Sequence, residues 1–196
     1  PIYPRRVKTI YIIMIHTIIT DFDGTLVDTF KANLLAYQMA FHEVGMTLTE
    51  EKYKDCFGYR FECFMAAMKI TNEKIANHIR ETKKQYYPQY FKYLKINTPL
   101  LELIRSFRNI GNNIAIASTA RKENLMNALE YLNLTNDFDY IISGKDVKKG
   151  KPDPEIYQTI MSYMNAKPEE TLIFEDSLIG LEAAKRSGAY YIKITF

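Results

Sequence analysis

The chain has 196 residues, of which 47% are hydrophobic and 13% aromatic, a composition typical of a globular protein and not of a disordered one. Its 26 basic and 23 acidic residues leave a net charge of +3, which is too small and too dispersed to indicate a nucleic-acid partner. The length suits one domain with a modest insertion.

The amino-terminal segment resembles the hydrophobic part of a signal peptide, because basic residues precede an apolar run that reaches Ile19. Polar residues interrupt this run, no small-residue cleavage site follows it, and it is too short to span a bilayer. We therefore expect Lys8–Ile15 to form an extra edge strand or an extension, and Thr17–Thr20 to end a central strand. A cytoplasmic protein without a membrane partner follows from this interpretation.

The segment from Asp28 to about Leu94 has no pattern of a buried strand. Its apolar residues recur at helical spacing instead, and a polar helix is predicted over Lys74–Tyr87. We predict that residues 30–95 form an inserted helical domain, while residues 1–29 and 96–196 form the main domain. The methionines and aromatic residues of the insertion are expected to pack its own core.

The two cysteines, Cys56 and Cys63, lie seven residues apart on a predicted helix. This spacing favours packed thiols over a disulfide. No histidine or further cysteine lies near enough in the sequence to indicate a zinc site.

Helices and strands alternate from Thr98 onward. Thr98-Pro99 begins a helix that Gly111 ends, and Gly188 ends the last helix. Strands are predicted to end at 118 and to cover 140–143, 172–174 and 190–195, with helices over 122–132, from 153 and over 178–187. This alternation predicts an α/β fold: a three-layer Rossmann-like core with a parallel sheet, plus the inserted all-helical block. No Gly-x-Gly-x-x-Gly opens a helix, which argues against dinucleotide binding.

An acidic loop follows the first apolar strand directly, in the pentapeptide Asp21-Phe22-Asp23-Gly24-Thr25. Two carboxylates at this spacing can face one ligand from separate environments, so one can act as a nucleophile while the other transfers protons. The alternative is an Asx turn that caps a helix, which is a common use of this pattern. The pentapeptide alone favours a functional site only modestly.

Three further segments place reactive side chains at or between strand ends. Ser118 and Thr119 follow the second strand, Lys151 lies in a basic loop, and Glu175-Asp176 ends a third strand. The carboxyl ends of parallel strands meet at one edge of a sheet, where ligands of α/β proteins bind. Each residue also has an ordinary structural explanation, as a helix cap or a solvated charge. Their occurrence together, in this order, favours a reactive site.

The chain resembles the haloacid-dehalogenase superfamily of hydrolases, in the branch with a small helical cap. The resemblance covers nearly the whole chain from about Thr17, and four motifs carry it in order: Asp-x-Asp-Gly-Thr, the strand-end serine, Lys-Pro-Asp-Pro-Glu-Ile-Tyr and Phe-Glu-Asp-Ser-x-x-Gly. The most similar patterns are those of β-phosphoglucomutase-like and phosphoglycolate-phosphatase-like proteins. The resemblance implies a Rossmann-like catalytic core, a cap over 30–95 and a monomer that acts on a small phosphorylated metabolite.

The activity implied is that of a magnesium-dependent phosphatase with an aspartyl-phosphate intermediate. Asp21 would be the nucleophile and Asp23 the general acid and base. A phosphate dianion repels a carboxylate, so the site needs a cation, and Mg²⁺ suits hard oxygen ligands. The expected ligands are the carboxylates of Asp21 and Asp176, the backbone carbonyl of Asp23, and Glu175 directly or through water.

Phosphate binding is expected to involve Ser118, Lys151 and the first loop. Lys151 would pair with Asp21 and the phosphoryl oxygens, while Ser118 and backbone amides of the loop donate hydrogen bonds. The residues implied in this role are Gly24, Thr25, Ser118, Thr119 and Lys151. For Thr25, a hydroxyl that stabilises the turn is the favoured interpretation.

Other functions of this superfamily remain as alternatives. A dehalogenase would lack Asp23, and a phosphonate hydrolase would need a reactive cap lysine, for which Lys31 and Lys54 are the candidates. A mutase shares the aspartyl phosphate, but the resemblance places Asn33 where β-phosphoglucomutases carry a histidine, and an amide does not titrate near neutrality. A catalytically silent binding protein is the alternative from another class.

Arg60 is the candidate for substrate selection. It follows the glycine-led break Phe57-Gly58-Tyr59 between two cap helices, and its guanidinium could contact a carboxylate, phosphate or sugar hydroxyls on the leaving group. A surface arginine paired with Glu62 or Asp55 is an equally weighted alternative.

Overall fold

A five-stranded parallel sheet forms the centre of the protein. The structure is a computed structural model that describes residues 14–196. The strand order is β5-β4-β1-β6-β7. Its strands are β1 (Thr17–Thr20), β4 (Asn113–Ala117), β5 (Tyr140–Ile142), β6 (Thr171–Glu175) and β7 (Tyr190–Lys193). A separate antiparallel pair joins β2 (Val27–Asp28) to β3 (Lys95–Ile96). The predicted α/β class with a parallel sheet is confirmed.

Eight α-helices lie in the described residues. Four precede β3 in the chain and four follow it: α1 (Phe30–Glu43), α2 (Glu50–Lys54), α3 (Phe61–Ala67), α4 (Glu73–Tyr86), α5 (Thr98–Asn109), α6 (Lys122–Tyr131), α7 (Glu155–Tyr163) and α8 (Leu178–Ser187). Short 3₁₀ helices cover Tyr87–Tyr93, Thr135–Asp137 and Pro168–Glu170. These bounds lie within a few residues of the predicted ones.

The three layers follow from the alternation of side chains along each strand. On one face, Ile18 of β1 packs with the buried residues of α5 and α6, and on the other, Ile19 packs with those of α7 and α8. The neighbouring strand β4 repeats this alternation, with Ile114 facing one side and Ala115 the other. Since both faces of the central strands are covered, β1, β4 and β6 are buried at nearly every position and carry apolar residues in succession, as the sequence predicts, whereas the edge strand β7 is exposed.

Helix ends follow the capping chemistry of the sequence. The Ser177 side chain accepts from the backbone N–H of Gly180 at the start of α8, and Gly188 ends that helix at φ +85°. At α5 the capping side chain is Asn97, one residue before the predicted start, and it accepts from the N–H of Leu100. The predicted helix ends at Gly111 and Gly188 are thus confirmed. The last helical residue of α5 lies two residues before Gly111.

The helices between β2 and β3 have a core of their own. Leu34, Phe41, Phe64 and Ile79 belong to one buried cluster, and several of its aromatic rings meet edge to face, such as Tyr37 and Phe64 at 5.0 Å between centroids. The N-terminal half of α1 and the 3₁₀ helix after α4 pack instead into the buried cluster that contains Ile18 of β1 and the apolar residues of α5 and α6. The division of the chain at 30 and 95 stays a prediction. The antiparallel pair β2–β3, which has two residues in each strand, was not predicted from the sequence.

Two expectations about individual segments have different outcomes. Cys56 is buried and Cys63 is exposed, both as free thiols, so the absence of a disulfide is confirmed, whereas the packing of Cys63 was predicted wrongly. The predicted strand or extension over Lys8–Ile15 lies outside the described residues except for its last two, which are not in a strand. In residues 14–196 we find no helix with the length and apolar character that a bilayer crossing requires.

The burial of Ile114 in β4 can be tested by the contribution of this side chain to stability. We expect Ile114→Ala to lower the free energy of unfolding by about 2–5 kcal/mol, because it removes a fully buried side chain and leaves a cavity. The matched control is Ile110→Ala, whose side chain is 77% exposed, and its effect should stay within about 0.5 kcal/mol. Urea denaturation measures both, and similar losses in the two variants would contradict the burial of Ile114 in β4.

Candidate active site

The predicted segments meet at the carboxyl edge of the sheet because β1 lies between β4 and β6. The N–H of Asp21 donates to the carbonyl of Phe174 at 2.9 Å, which ties the first loop to the end of β6. On the other side, the N–H of Ser118 donates to the carbonyl of Ile142 at 3.1 Å. Three strands thus bring their polar ends together, as their parallel arrangement predicts.

Lys151 lies at the centre of this edge. Its ammonium donates to Asp21 Oδ1 at 2.6 Å, to Glu175 Oε1 at 2.5 Å and to the carbonyl of Ala117 at 3.3 Å. All three charged side chains are buried, so Lys151 is not a solvated charge. Burial opposes the charged form of the lysine, but the two carboxylates reverse this effect and raise its pKa well above the usual range. The two carboxylates therefore favour the charged form of the ammonium.

Three carboxylates lie close enough to share a cation. Oxygens of Asp21, Glu175 and Asp176 lie within 4.8 Å of one another. Burial, together with the neighbouring carboxylates and against the opposing Lys151, raises the pKa of Asp21 well above its usual range. Burial and Glu175 raise that of Asp176 to about 6. In their deprotonated forms, which are the forms that bind a metal, three acids against one ammonium carry a net charge of two negatives, so the donor set and its charge fit Mg²⁺.

Glu175 is held by more donors than any other acid of the group. Oε1 accepts from Lys151 and from the hydroxyl of Tyr157 at 3.3 Å, and Oε2 accepts from the N–H and hydroxyl of Ser177 at 2.9 and 3.1 Å. A Cβ on Gly180 would lie 1.9 Å from Oε1, so the first turn of α8 needs glycine there. Ser177, and not the acid pair, caps α8. Tyr157 is the tyrosine of the Lys-Pro-Asp-Pro-Glu-Ile-Tyr motif, but its hydrogen bond to Glu175 was not predicted from the sequence.

Asp23 faces away from the lysine, towards the inserted helices. Oδ1 accepts from the hydroxyl of Thr29 at 2.6 Å and from the amide of Asn33 at 3.3 Å, and Oδ2 accepts from the hydroxyl of Ser118 at 3.2 Å. Ser118 also accepts from the N–H of Ala120 at 3.0 Å. The structure therefore brings Asn33 and Ser118 to the second carboxylate of the loop. Thr29 was missed by sequence reasoning, and its place eight residues after Asp21 gave no indication of this bond.

The turn that directly follows the two carboxylates depends on Gly24. Its φ is +93°, and a Cβ there would lie 2.4 Å from Asp176 Oδ2. Thr25 donates from its hydroxyl to Asp176 Oδ1 at 2.9 Å, which joins the loop to β6 as a turn-stabilising hydroxyl would. Thr119 donates to the carbonyl of Gly58 at 3.3 Å and so links the end of β4 to the inserted helices.

Arg60 joins the inserted helices to the loop after β5. Its guanidinium donates to the carbonyls of Gly144, Val147 (3.1 Å) and Lys148 (3.2 Å). Gly150 allows this approach, since a Cβ there would lie 2.3 Å from Arg60 Cδ. The alternative of an ion pair with a neighbouring acid is wrong, because Glu62 pairs with Arg80 and Asp55 makes no ion pair with a described residue. A substrate contact of Arg60 stays a prediction.

A cleft of about 310 Å³ lies between this loop and the inserted helices. Asp23, Asn33, Thr119 and Arg60 line it. Lys83 of α4 also lines the cleft and is buried. The sequence predicted only that it lies in a polar helix. The candidate cap lysines, Lys31 and Lys54, are both exposed, so neither is a desolvated amine.

Known proteins share both the sequence pattern and the fold. Residues 18–194 match the haloacid dehalogenase-like hydrolase family. A phosphorylated carbohydrates phosphatase from Thermotoga maritima is 31% identical over 177 residues, covering 87% of this chain and 81% of that protein. The structure of CbbY from Rhodobacter sphaeroides in complex with phosphate has a TM-score of 0.84 at 25% identity, covering 93% of this chain and 87% of that one. A β-phosphoglucomutase from Clostridium difficile shares the fold, with a TM-score of 0.81, 22% identity and coverage of 93% and 86%.

The central lysine can be tested apart from any activity. We expect Lys151→Met to lower the free energy of unfolding by about 3–5 kcal/mol at neutral pH, since it leaves buried carboxylates without their counter-charge. Lys149→Met is the matched control, because its side chain is 73% exposed against 2% for Lys151, and it should change stability by about 1 kcal/mol or less. Chemical denaturation in the presence of a chelator measures both. Equal stability of the two variants would contradict a compensated buried charge.

Proposed function

The chain belongs to the haloacid dehalogenase-like hydrolase family, and we propose that it is a magnesium-dependent phosphatase of a small phosphorylated metabolite, such as a sugar phosphate. Hydrolysis would run through an aspartyl phosphate on Asp21. Support comes from the related carbohydrate phosphatase and from the charge of the strand-end cluster. Residues 30–95 would act as a cap over a catalytic core, in a cytoplasmic monomer.

The observation that carries this proposal is the separation of the two carboxylates of one loop. Asp21 contacts Lys151 and the metal-binding acids, while Asp23 accepts hydrogen bonds from Thr29, Asn33 and Ser118 at the cleft. A nucleophile needs a counter-charge, and a proton-transfer group needs access to the leaving oxygen. The two environments meet these different needs.

The reaction divides into two steps. In the first, a carboxylate oxygen of Asp21 forms a bond to phosphorus as the bond to the leaving oxygen breaks, and Asp23 gives that oxygen a proton. In the second, water attacks the phosphorus of the aspartyl phosphate, Asp23 takes a proton from it, and Asp21 is released with inorganic phosphate. Lys151 holds Asp21 in place and offsets the negative charge of the phosphoryl oxygens.

The metal would be held by Asp21, Asp176 and the backbone carbonyl of Asp23, with Glu175 binding directly or through water. When bound, Mg²⁺ supplies the positive charge that lets a carboxylate approach a phosphate dianion. Gly24 and Thr25 give the loop its shape, and its backbone amides, with Ser118 and Thr119, would donate to the phosphoryl group. The Ser118 hydroxyl would then exchange Asp23 for a phosphoryl oxygen as its acceptor.

A mutase is the enzymatic alternative, since it would share every residue of the first step and the fold is common to both. The two differ in whether water reaches the aspartyl phosphate. Asn33, whose amide donates to Asp23, has no group that titrates near neutrality. We therefore favour hydrolysis.

Removal of the nucleophile tests the covalent route. Asp21→Asn keeps the size of the side chain but removes its charge, so turnover of a chromogenic phosphate ester should fall by about a thousandfold or more. Asp55→Asn is the matched control, because Asp55 is exposed and lies outside the acidic cluster, and its turnover should equal that of the unchanged chain. A chelator should abolish the activity and added Mg²⁺ should restore it. A tenth of normal turnover in Asp21→Asn would refute the covalent route, and no turnover in the unchanged chain would favour a silent binding protein.

Product analysis separates the phosphatase from the mutase. Incubation with β-glucose 1-phosphate, Mg²⁺ and a bisphosphate primer should release inorganic phosphate, because water has access to the intermediate. Phosphate is measured colorimetrically and glucose 6-phosphate by a coupled assay. Glucose 6-phosphate that accumulates without phosphate release would establish the mutase.

A further inference from the structure

Lys83 is a buried cation of the inserted helices that forms no ion pair within residues 14–196. Its side chain is 6% exposed, and among residues 14–196 no carboxylate or carbonyl accepts a hydrogen bond from its ammonium. Two tyrosine rings surround the ammonium instead, with Nζ 3.7 Å from the centroid of Tyr87 and 5.3 Å from that of Tyr37. The adjacent Lys84 differs, since it pairs with Glu123 at 2.7 Å.

The arginines of the cleft already form ion pairs or hydrogen bonds. Arg80 pairs with Glu62 at 3.0 Å, Arg121 pairs with Glu81 at 3.1 Å, and Arg60 donates to backbone carbonyls. An anion that enters the cleft therefore meets one buried positive charge that no described side chain neutralises, that of Lys83. Lys145 also lines the cleft without an ion pair, but it is exposed, and Arg80 keeps its ion pair although its Nε has no acceptor. Lys83 is therefore the buried cation of this lining that has no ion pair.

A structural role alone does not account for this lysine. Burial disfavours the charged form of an ammonium without an acceptor, and contact with tyrosine rings offsets only part of this cost. Burial accordingly lowers the pKa of Lys83 to about 7, although the charge of Asp23 opposes this shift. A methionine or leucine would fill the same space between the rings at lower cost. An anion beside the ammonium would remove the penalty.

The position of Lys83 indicates which part of a substrate it meets. Lys83 and Asp23 line the same cleft, Lys83 from α4 and Asp23 from the loop after β1. In the proposed reaction Asp23 protonates the leaving oxygen, so the leaving group lies between these two residues. At about 310 Å³ the cleft suits a metabolite of a few carbon atoms.

We propose that Lys83 selects substrates whose leaving group carries a second anionic group, a carboxylate or a second phosphate. This inference rests on the proposed phosphatase function and names the chemical class of its substrate. The ammonium forms an ion pair with that group on the cap side of the cleft, while the transferred phosphoryl group binds at Asp21. A substrate whose leaving group bears only hydroxyls leaves the ammonium without a counter-ion and is disfavoured.

The test uses pairs of phosphate esters that differ in charge at the leaving group. We compare kcat/KM for 3-phosphoglycerate against glycerol 3-phosphate, and for fructose 1,6-bisphosphate against fructose 6-phosphate, with the full chain and Mg²⁺. In at least one pair the unchanged chain should prefer the more charged ester by about tenfold or more. Lys83→Met, which keeps the apolar stem, should bring that ratio close to one, and Lys83→Arg should retain most of it.

The control is Lys84→Met, which removes a charge one residue away that already pairs with Glu123 and should leave the ratio unchanged. Thermal unfolding checks that each variant is folded, and Lys83→Gln replaces Lys83→Met if the latter is not. The absence of a charge preference in both pairs, or a preference that survives Lys83→Met, would overturn the proposal.

Failure of the phosphatase function is distinguishable from failure of this inference. If the unchanged chain hydrolyses neither these esters nor a chromogenic phosphate ester, the phosphatase proposal fails. Calorimetric titration of 3-phosphoglycerate and glycerol 3-phosphate into Asp21→Asn, with and without Lys83→Met, then tests Lys83 by dissociation constants. Tighter binding of the carboxylate that depends on Lys83 supports the inference, and equal binding of the two probes overturns it.

Discussion

The contact of one buried ammonium with two buried carboxylates is the constraint on which the site depends. Lys151 comes from the loop after β5, Asp21 from the end of β1 and Glu175 from the end of β6. None of these charges could remain buried without the others, because the cost of desolvating each ion is offset only by its partners. The ion pairs therefore hold three separate segments in one arrangement. They also leave a net negative charge that a divalent cation can neutralise.

Small residues allow this arrangement as much as charged ones do. A Cβ at Gly24 would overlap Asp176, and one at Gly180 would overlap Glu175. The backbone of the first loop and that of α8 can therefore approach the acids closely. With Gly24 at φ +93°, the chain turns sharply after its second aspartate. In this loop Asp21 contacts the lysine, while Asp23 contacts the hydroxyls and amide at the cleft.

The inserted helices contribute polar contacts to the cleft, and an aromatic core of their own packs them together. Arg60 and the Thr119 hydroxyl link them to the loops of the main domain. At the C-terminal end of α4, which carries Lys83, Glu43 accepts from Thr82 and Tyr86 at 3.1 Å each, and this fixes α4 against α1. Because α4 is held in this way, Lys83 keeps one position on the cleft wall. The cleft thus presents an acid from the loop after β1 and a buried cation from the inserted helices, and the proposed substrate would contact both.

The sequence by itself determined the order of the strands and helices and the identity of the strand-end acids. A buried parallel strand is a continuous apolar run, so the polar residues that follow it mark the edge where a site can form. The tertiary structure decided which partner each side chain meets. Lys83 and Lys84 are adjacent in one polar helix, and only the packing of Tyr37 and Tyr87 buries the first while the second reaches Glu123. The acceptors of Arg60 lie 84 to 88 residues further along the chain. Local sequence encodes which face of an element is apolar, whereas such remote contacts follow from how the elements pack together.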